Sequence, residues 1–429
     1  MKKYIDWARG MLYTATAKDT FVLFAGNLGS AFWGFLFMLF AARSLSVYEF
    51  GVLSAVLNFA TILVSLADIG ISSGVVNYVS THTARGEDKE ANEYTKAAFI
   101  TRLLIVLGIS AIVAIFAPFI SKTFLATSDH KVAIWAAVIP IFLFPDMFFP
   151  SILQAKKKFL HSTVIDNAFY LARLLFAFVF YVVGGLTMSK AFWAFGAGFV
   201  VSVILIIVFV RGDFLKSKPG KDKYTGLLKY SGWIGLNRIV SSITGRLDIQ
   251  MLASISGALA TGLYSIPSRL AGFLTVLVSS FSSVLAPRFA SFGSKDTEKR
   301  YMLKSLLAVL PLAAGVIIWI IIAKPFILTL FGDKYIDSIP VFQALAAAMI
   351  PYLFTVPSVT AIIYSMKKTV FIGAYSFVHL GLVFFLNLFL IPKFGVFGPA
   401  ITLGISYTIL AIYTWVIVIR YYWGKTNEP

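Results

Sequence analysis

Runs of about twenty apolar residues recur along almost the whole chain and leave few folds open to it. A helix needs roughly 20 predominantly apolar residues to cross about 30 Å of hydrocarbon. Such spans are predicted near 20–42, 48–74, 96–118, 131–153, 162–184, 190–210, 229–253, 258–284, 302–323, 338–364, 369–391 and 396–420. They are rich in Leu, Ile, Ala and Gly and lack the polar–apolar alternation of a barrel, so the expectation is an all-α membrane protein with twelve transmembrane helices. Composition agrees: 59% of the 429 residues are hydrophobic and 13% charged, at a mean hydropathy of +0.85. A soluble globular fold needs far less apolar surface.

The spans repeat at an offset of 211 positions: Gly51 matches Gly262, Ser54 matches Ser265, Pro140 matches Pro351, Lys156 and Lys157 match Lys367 and Lys368, and Gly184 matches Gly395. Six spans per half is an even number, so both halves enter the membrane from the same side. Two six-helix lobes related by a pseudo-two-fold axis along the membrane normal are therefore expected. The predicted organisation is an N-terminal amphipathic segment 1–19, an N-lobe 20–210, a basic linker 211–228, a C-lobe 229–421 and a short tail 422–429.

The net charge of +18 does not indicate nucleic acid, because the charge is segregated. With a cytoplasmic N-terminus, the inward segments carry about 25 Lys and Arg against 7 on the outward ones, the bias that fixes orientation. Both termini are expected in the cytoplasm of a multi-pass cell-membrane protein. The first 19 residues are too interrupted for a signal-peptide core. With no cysteine and four scattered histidines, no metal site is expected; His379, in mid-span, reads as a packed polar residue. No extramembrane segment exceeds roughly 20 residues, so a large catalytic loop is absent and no catalytic residue is assigned. The longest, with KSKPGKDK, reads as a flexible hinge between halves.

Polar residues inside the spans narrow the function. Asn58, Thr61, Ser65, Asp68 and Ser72 share one face of the second span, and Asn237, Ser241, Thr244 and Asp248 share one face of the seventh. Small hydroxyls at such spacing also tie helices together, whereas an aspartate inside a span is costly and marks function. Arg102, Arg173, Arg238, Arg246 and Arg269 fall within spans, each at about 2.5–3.5 kcal/mol if placed at a helix centre. Arg102 and Arg246 are near enough to the ends to snorkel; Arg173, Arg238 and Arg269 lie nearer the midplane. Guanidinium forks match phosphate oxygens bidentately, so such a set suits an anionic head group, a phosphate or diphosphate, with Asn27, Asn58, Asn237 and Ser65 as neutral polar lining. The competing outlet is pairing with a buried aspartate, Asp68 or Asp166.

Four stretches carry a family resemblance: AARSLSVYEFGVLSAVLNFATILVSLADIG, LDIQMLASISGALATGLYSIPSRL, KPFILTLFGDKYIDSIPVF and LIPKFGVFGPAITLGIS. In order and spacing the chain resembles the polysaccharide-exporter branch of the multidrug/oligosaccharidyl-lipid/polysaccharide (MOP) flippase superfamily, the lipid-linked oligosaccharide flippases. The resemblance implies a MATE-like fold working by alternating access. It also implies a polyprenyl-diphosphate-linked oligosaccharide as substrate, carried from the cytoplasmic to the outer leaflet for cell-surface polysaccharide biosynthesis. On that reading the diphosphate docks on Arg173, Arg238 and Arg269, with Arg246 and Arg102 as outer and inner way-stations. No cofactor is expected beyond coupling to H⁺ or Na⁺, for which Asp68 and Asp248 are the candidates. Partners would be membrane lipids and the glycan polymerase or glycosyltransferases of the same pathway. Peptidoglycan-precursor flippases typically have two further helices, which this chain lacks, and the drug-extruding branch relies on acidic cavity residues. The rival functions are a cation-coupled multidrug exporter of the same fold and a membrane-embedded glycan polymerase or ligase.

Overall fold

A computed structural model of the protein describes residues 15–210, 212–292 and 294–423, and no strand occurs among them. Most of the expected N-terminal segment 1–19 and of the tail 422–429 lies outside the described residues. The long helices are α1 (Ala15–Ser44), α2 (Val47–Asp68), α3 (Ile71–Ala84), α4 (Asp88–Ile115), the short α5 (Ala117–Phe124), α6 (His130–Ala155), α7 (Phe159–Gly184) and α8 (Met188–Val210). They are followed by α9 (Lys221–Thr244), α10 (Leu247–Ser291), α11 (Lys295–Ile321), the short α12 (Ala323–Phe331), α13 (Ser338–Thr360), α14 (Thr369–Phe394) and α15 (Gly398–Trp423).

Ten helical stretches among the described residues are long and apolar enough to cross a membrane, where the sequence led us to expect twelve spans. Two places account for the difference. Residues 369–423 form one such stretch although α14 and α15 meet at the turn Gly395–Phe397. α9 opens with Lys221, Asp222 and Lys223 and carries Lys229 in its next turns, which keeps it below the hydropathy of its neighbours.

Two expected spans are broken. The second ends at Asp68 and restarts as α3 at Ile71, because Ile69 (φ 40°) and Gly70 (φ 76°) are left-handed. The seventh is interrupted between Thr244 and Leu247, and the chain next departs from helical geometry at Gly257 (φ 82°) inside α10. The row Asn237–Ser241–Thr244–Asp248 therefore does not lie on one continuous helix, as its spacing had implied.

The chain clusters into two compact units. One holds the residues up to Ser46, Phe59–Ser121 and Ser128–Ile239; the other holds Val47–Asn58, Lys122–Thr127 and the chain from Val240 onward. Within the second unit, the repeat becomes a physical contact. A Cβ on Gly51 would collide with the Ala258 carbonyl, and one on Gly262 with the Val47 carbonyl. Ala258 and Gly262 are the 211-offset partners of Val47 and Gly51, so the contact is reciprocal, the form that two-fold symmetry imposes. Glycine is required there because backbone meets backbone. Further along, the register slips: the left-handed residues that follow α6 and α13 are Lys157 and Lys367, 210 apart, and α7 and α14 begin at Phe159 and Thr369, also 210 apart. At either offset Arg173 faces an uncharged counterpart, Phe384 or Val383.

The linker is not the slack hinge its composition suggests. Phe214 is buried among Phe99 and Phe149, and the Lys96 ammonium donates to the Leu215 and Ser217 carbonyls at 2.7 and 2.6 Å. The Lys223 ammonium pairs with Glu90 and Asp222, and the hydrogen bond to Glu90, with Asp222 behind it, raises its pKa above the ordinary lysine value. α9 is fastened to the first unit as far as Ile239, where Gly70 and Gly235 meet with no room for a Cβ on either. Apolar docking and charge-assisted bonds outweigh the Gly/Pro content that signalled flexibility. Replacing Lys96 by Ala removes bonds worth about 1.5 kcal/mol or more, so tryptic cleavage at Lys216 or Lys221 of the purified protein is expected to quicken about ten-fold.

Candidate functional site

The break after α2 builds the principal ionic cluster. Asp68 is the last residue of α2, and its Oδ1 accepts the Ser72 backbone N–H at 3.2 Å and the Ser72 hydroxyl at 2.6 Å, satisfying the start of α3. The same oxygen lies 3.1 Å from the Arg102 guanidinium of α4. The other oxygen, Oδ2, lies 3.4 Å from the Arg238 guanidinium of α9. Arg102 is only 2% exposed and also donates to the Ser72 hydroxyl at 2.9 Å. Instead of snorkelling to the interface, as its position suggested, it is a buried anchor. The Arg238 side chain is 60% exposed. One carboxylate faces two guanidiniums, so the cluster keeps a net positive charge, and that charge is presented at Arg238.

Arg173, on α7, sits apart from this cluster. It is 6% exposed, and its guanidinium lies 4.4 Å from the Phe37 ring, 4.6 Å from Phe195, 4.8 Å from Tyr170 and 5.9 Å from Phe169. Cation–π attraction in a desolvated setting holds a guanidinium with about 2 kcal/mol or more. Asp146 of α6, itself buried, is within electrostatic reach of both Arg173 and Asp166. The prolines Pro140, Pro145 and Pro150 around it leave α6 helical throughout.

The remaining predicted residues lie elsewhere. Arg246 occupies the gap between α9 and α10, is half-buried and engaged by protein groups, and lies within electrostatic reach of Asp248. Its carbonyl accepts the Gln250 backbone N–H at 3.3 Å and the Asn58 amide at 2.8 Å, and Asn58 also donates to the Gln250 side-chain carbonyl at 3.3 Å. Arg269 is half-buried on α10 and engaged. Asn27 is exposed; Asn237 is half-buried and engaged; the Ser65 hydroxyl donates to the Thr61 carbonyl at 2.9 Å within its own helix. Asp248 is buried, its Oδ2 accepting the Tyr264 hydroxyl at 2.7 Å and its Oδ1 the Ile249 N–H at 2.7 Å. Of the five arginines, Arg102 and Arg238 are thus brought together on Asp68, while Arg173 is caged separately in the same unit.

Sequence reasoning missed a cavity of about 650 Å³ inside the second unit, walled by α9, α10, α13, α14 and α15, with Asp248, Tyr352, Tyr375, His379 and Tyr407 on its surface. One signal for it was legible: Ser268, Gly272, Thr275, Ser279 and Ser282 recur at steps of 4, 3, 4 and 3 along α10, and all five line it.

Helices long and apolar enough to span a bilayer, with guanidiniums and carboxylates gathered between them and at breaks within the expected spans, define a multi-span membrane transporter. The chain belongs to the polysaccharide biosynthesis protein family, whose pattern matches residues 16–293. It is 24% identical over 393 residues to a putative O-antigen transporter of Shigella flexneri, covering 85% of this chain and 88% of that one. In fold it is similar to an inward-facing multidrug resistance MATE family transporter of the MOP superfamily, with a TM-score of 0.75 at 15% identity over 93% of this chain and 96% of that one. It is similar as well to the lipid II flippase MurJ in an inward closed conformation, with a TM-score of 0.72 at 15% identity over 93% of this chain and 87% of that one. These likenesses establish the MOP-type fold expected from the sequence.

Proposed function

We propose that the protein is a flippase that moves a polyprenyl-diphosphate-linked oligosaccharide from the cytoplasmic to the outer leaflet of the cell membrane by alternating access, with both termini in the cytoplasm. The observation that carries this reading is the excess positive charge of the Asp68–Arg102–Arg238 cluster, displayed on the exposed Arg238. A diphosphate offers that guanidinium a bidentate partner that Asp68, already engaged through Oδ1, does not fully supply. A cationic drug meets repulsion at the same place, which sets the multidrug reading second. Arg173 contributes a fixed positive charge from within its ring cage, and Arg246 and Arg269 serve the passage of the head group at other depths. Asp68 is committed to arginines, so Asp248 is the better carboxylate for a coupling H⁺ or Na⁺. Membership of the polysaccharide biosynthesis family supports the glycan as cargo and pathway glycosyltransferases or a polymerase as partners; transport without bond-making chemistry is the whole activity proposed.

The test is Arg238→Gln, which keeps a hydrogen-bonding group, removes the charge and, at an exposed position, leaves the packing intact. Transfer of a fluorescent lipid-diphosphate-linked oligosaccharide across proteoliposome bilayers is expected to fall at least about ten-fold, the loss of a charge-assisted contact worth about 1.5–3 kcal/mol. Arg238→Lys should recover part of it. An unchanged rate in Arg238→Gln would remove the cluster from the transport path.

A further inference from the structure

The cavity of the second unit has a chemistry of its own. No Lys or Arg is among the described residues lining it, so it does not suit the diphosphate. Its volume, about 650 Å³, falls within the range of about 300–1,000 Å³ typical of small-molecule sites. Along one wall runs a chain of four rings: Tyr352 and Tyr407 stack at 4.5 Å, Tyr407 and His379 lie 5.8 Å apart, and His379 and Tyr375 stack at 5.9 Å.

Five of the Ser and Thr hydroxyls around the rings are polarised in one sense. Thr244 donates to the Val240 carbonyl at 2.7 Å, Thr275 to Gly272 at 2.7 Å, Ser279 to Val276 at 2.9 Å, Thr355 to Tyr352 at 2.6 Å and Ser376 to Ile372 at 3.2 Å. Each hydroxyl has one proton to give, and here it is spent on the backbone. What these residues retain toward the cavity is acceptor lone pairs. These acceptors, together with the Tyr352 and Tyr407 hydroxyls, which can give or accept a proton, suit a molecule covered in O–H groups. Ring faces in the same wall suit the C–H face of a pyranose. An organic cation would also suit the rings, and Asp248, the one carboxylate in the lining, would supply its counter-charge, so a phosphonium is the rival probe.

We propose that this cavity is a docking site for neutral sugar units of the carried glycan, separate from the arginine cluster that takes the diphosphate, with Tyr352 and Tyr407 as the stacking platform and the Ser/Thr oxygens as acceptors. The assignment rests on the export reading above, and its test does not use export. The chain contains no cysteine, so Ser279→Cys or Ser376→Cys in the cavity wall, and Ser280→Cys just outside it as a control, each give a single reactive thiol. Labelling of the purified protein by a water-soluble maleimide is followed with maltotriose, with chitotriose and with tetraphenylphosphonium. A trisaccharide at about four times its Kd is expected to slow labelling of both cavity thiols about five-fold and to leave the control unchanged. Tyr352→Leu should abolish that protection and Tyr352→Phe, which keeps the ring, should preserve it. Absence of protection by either trisaccharide, equal protection of the control thiol, or protection by the phosphonium that matches or exceeds the sugars would overturn the proposal, and so would full protection in Tyr352→Leu. Protection that fails while Arg238→Gln still stops lipid transfer removes the sugar site alone; protection that persists in Arg238→Gln supports two separate sites.

Discussion

Gly262→Leu is expected to leave almost no folded protein, whereas Gly108→Leu is tolerated. At Gly262 an added Cβ meets the Val47 carbonyl, and at Gly51 it meets the Ala258 carbonyl; at Gly108 nothing lies within 4 Å. Backbone cannot give way as a side chain can, so relief requires the start of α2 and the segment after Gly257 to separate along their length. Overpacking a well-packed interface costs about 1–3 kcal/mol and occasionally more, and here the buried Phe50, Ser54, Tyr264 and Ser265 on the same segments lose their fit as well. The monodisperse peak in fluorescence-detected size-exclusion chromatography should drop below about a tenth of wild type, because a loss of about 1–2 kcal/mol already changes abundance several-fold in a cell and this collision costs more. Gly51→Leu should behave the same way, because the contact is reciprocal. Normal yield for either would mean that the two segments do not touch through their backbones.

Asp68→Ala is expected to be the most damaging charge substitution in the protein. It strands the Arg102 guanidinium at 2% exposure with the Ser72 hydroxyl and the Met147 carbonyl, at 2.9 and 3.4 Å, as hydrogen-bond acceptors and the Phe148 ring at 5.9 Å. Breaking a buried pair from one side costs about 3–5 kcal/mol because an uncompensated charge remains, and the lost cap on α3 adds about 1 kcal/mol. Replacing Arg102 by Met in the same chain removes the stranded charge. The double variant should therefore recover about 2 kcal/mol or more relative to the sum of the singles, read as thermal stability in detergent. Additive effects would show that Arg102 does not depend on Asp68. Arg238→Gln, at the exposed end of the same cluster, should shift stability by about 1 kcal/mol or less while suppressing transfer.

How far the sequence foretold these results follows from which forces leave a local trace. Bilayer thickness imposes a length on every span, so most span positions were legible, and so was the repeat, because Gly51 and Gly262 answer the same steric demand. Asp68 and Ser72 were placed on one face by their spacing, and they do bond to each other. The break between them was not legible: Gly70 is one of 31 glycines, and what distinguishes it is a backbone neighbour on α9, 165 positions away. The docking of the linker was hidden for a related reason. Phe214 was one of a few apolar residues in a basic stretch, and its meaning came from Phe99 and Phe149. Arg173 was singled out from its cost in a membrane, and Phe169 and Tyr170 precede it by four and three residues on the same face of α7, but the Phe37 and Phe195 rings come from α1 and α8, and no pattern on α7 announces those. The cavity rings are likewise spread over α13, α14 and α15.

The two oxygens of Asp68 divide their duties. Oδ1 holds Ser72 and Arg102; Oδ2 holds Arg238. A visiting anion can borrow Arg238 by competing for one oxygen while the other keeps the helix start and its buried cation in place. The scaffold is thereby insulated from its own traffic: each passenger can take hold and let go without loosening the frame that carries it.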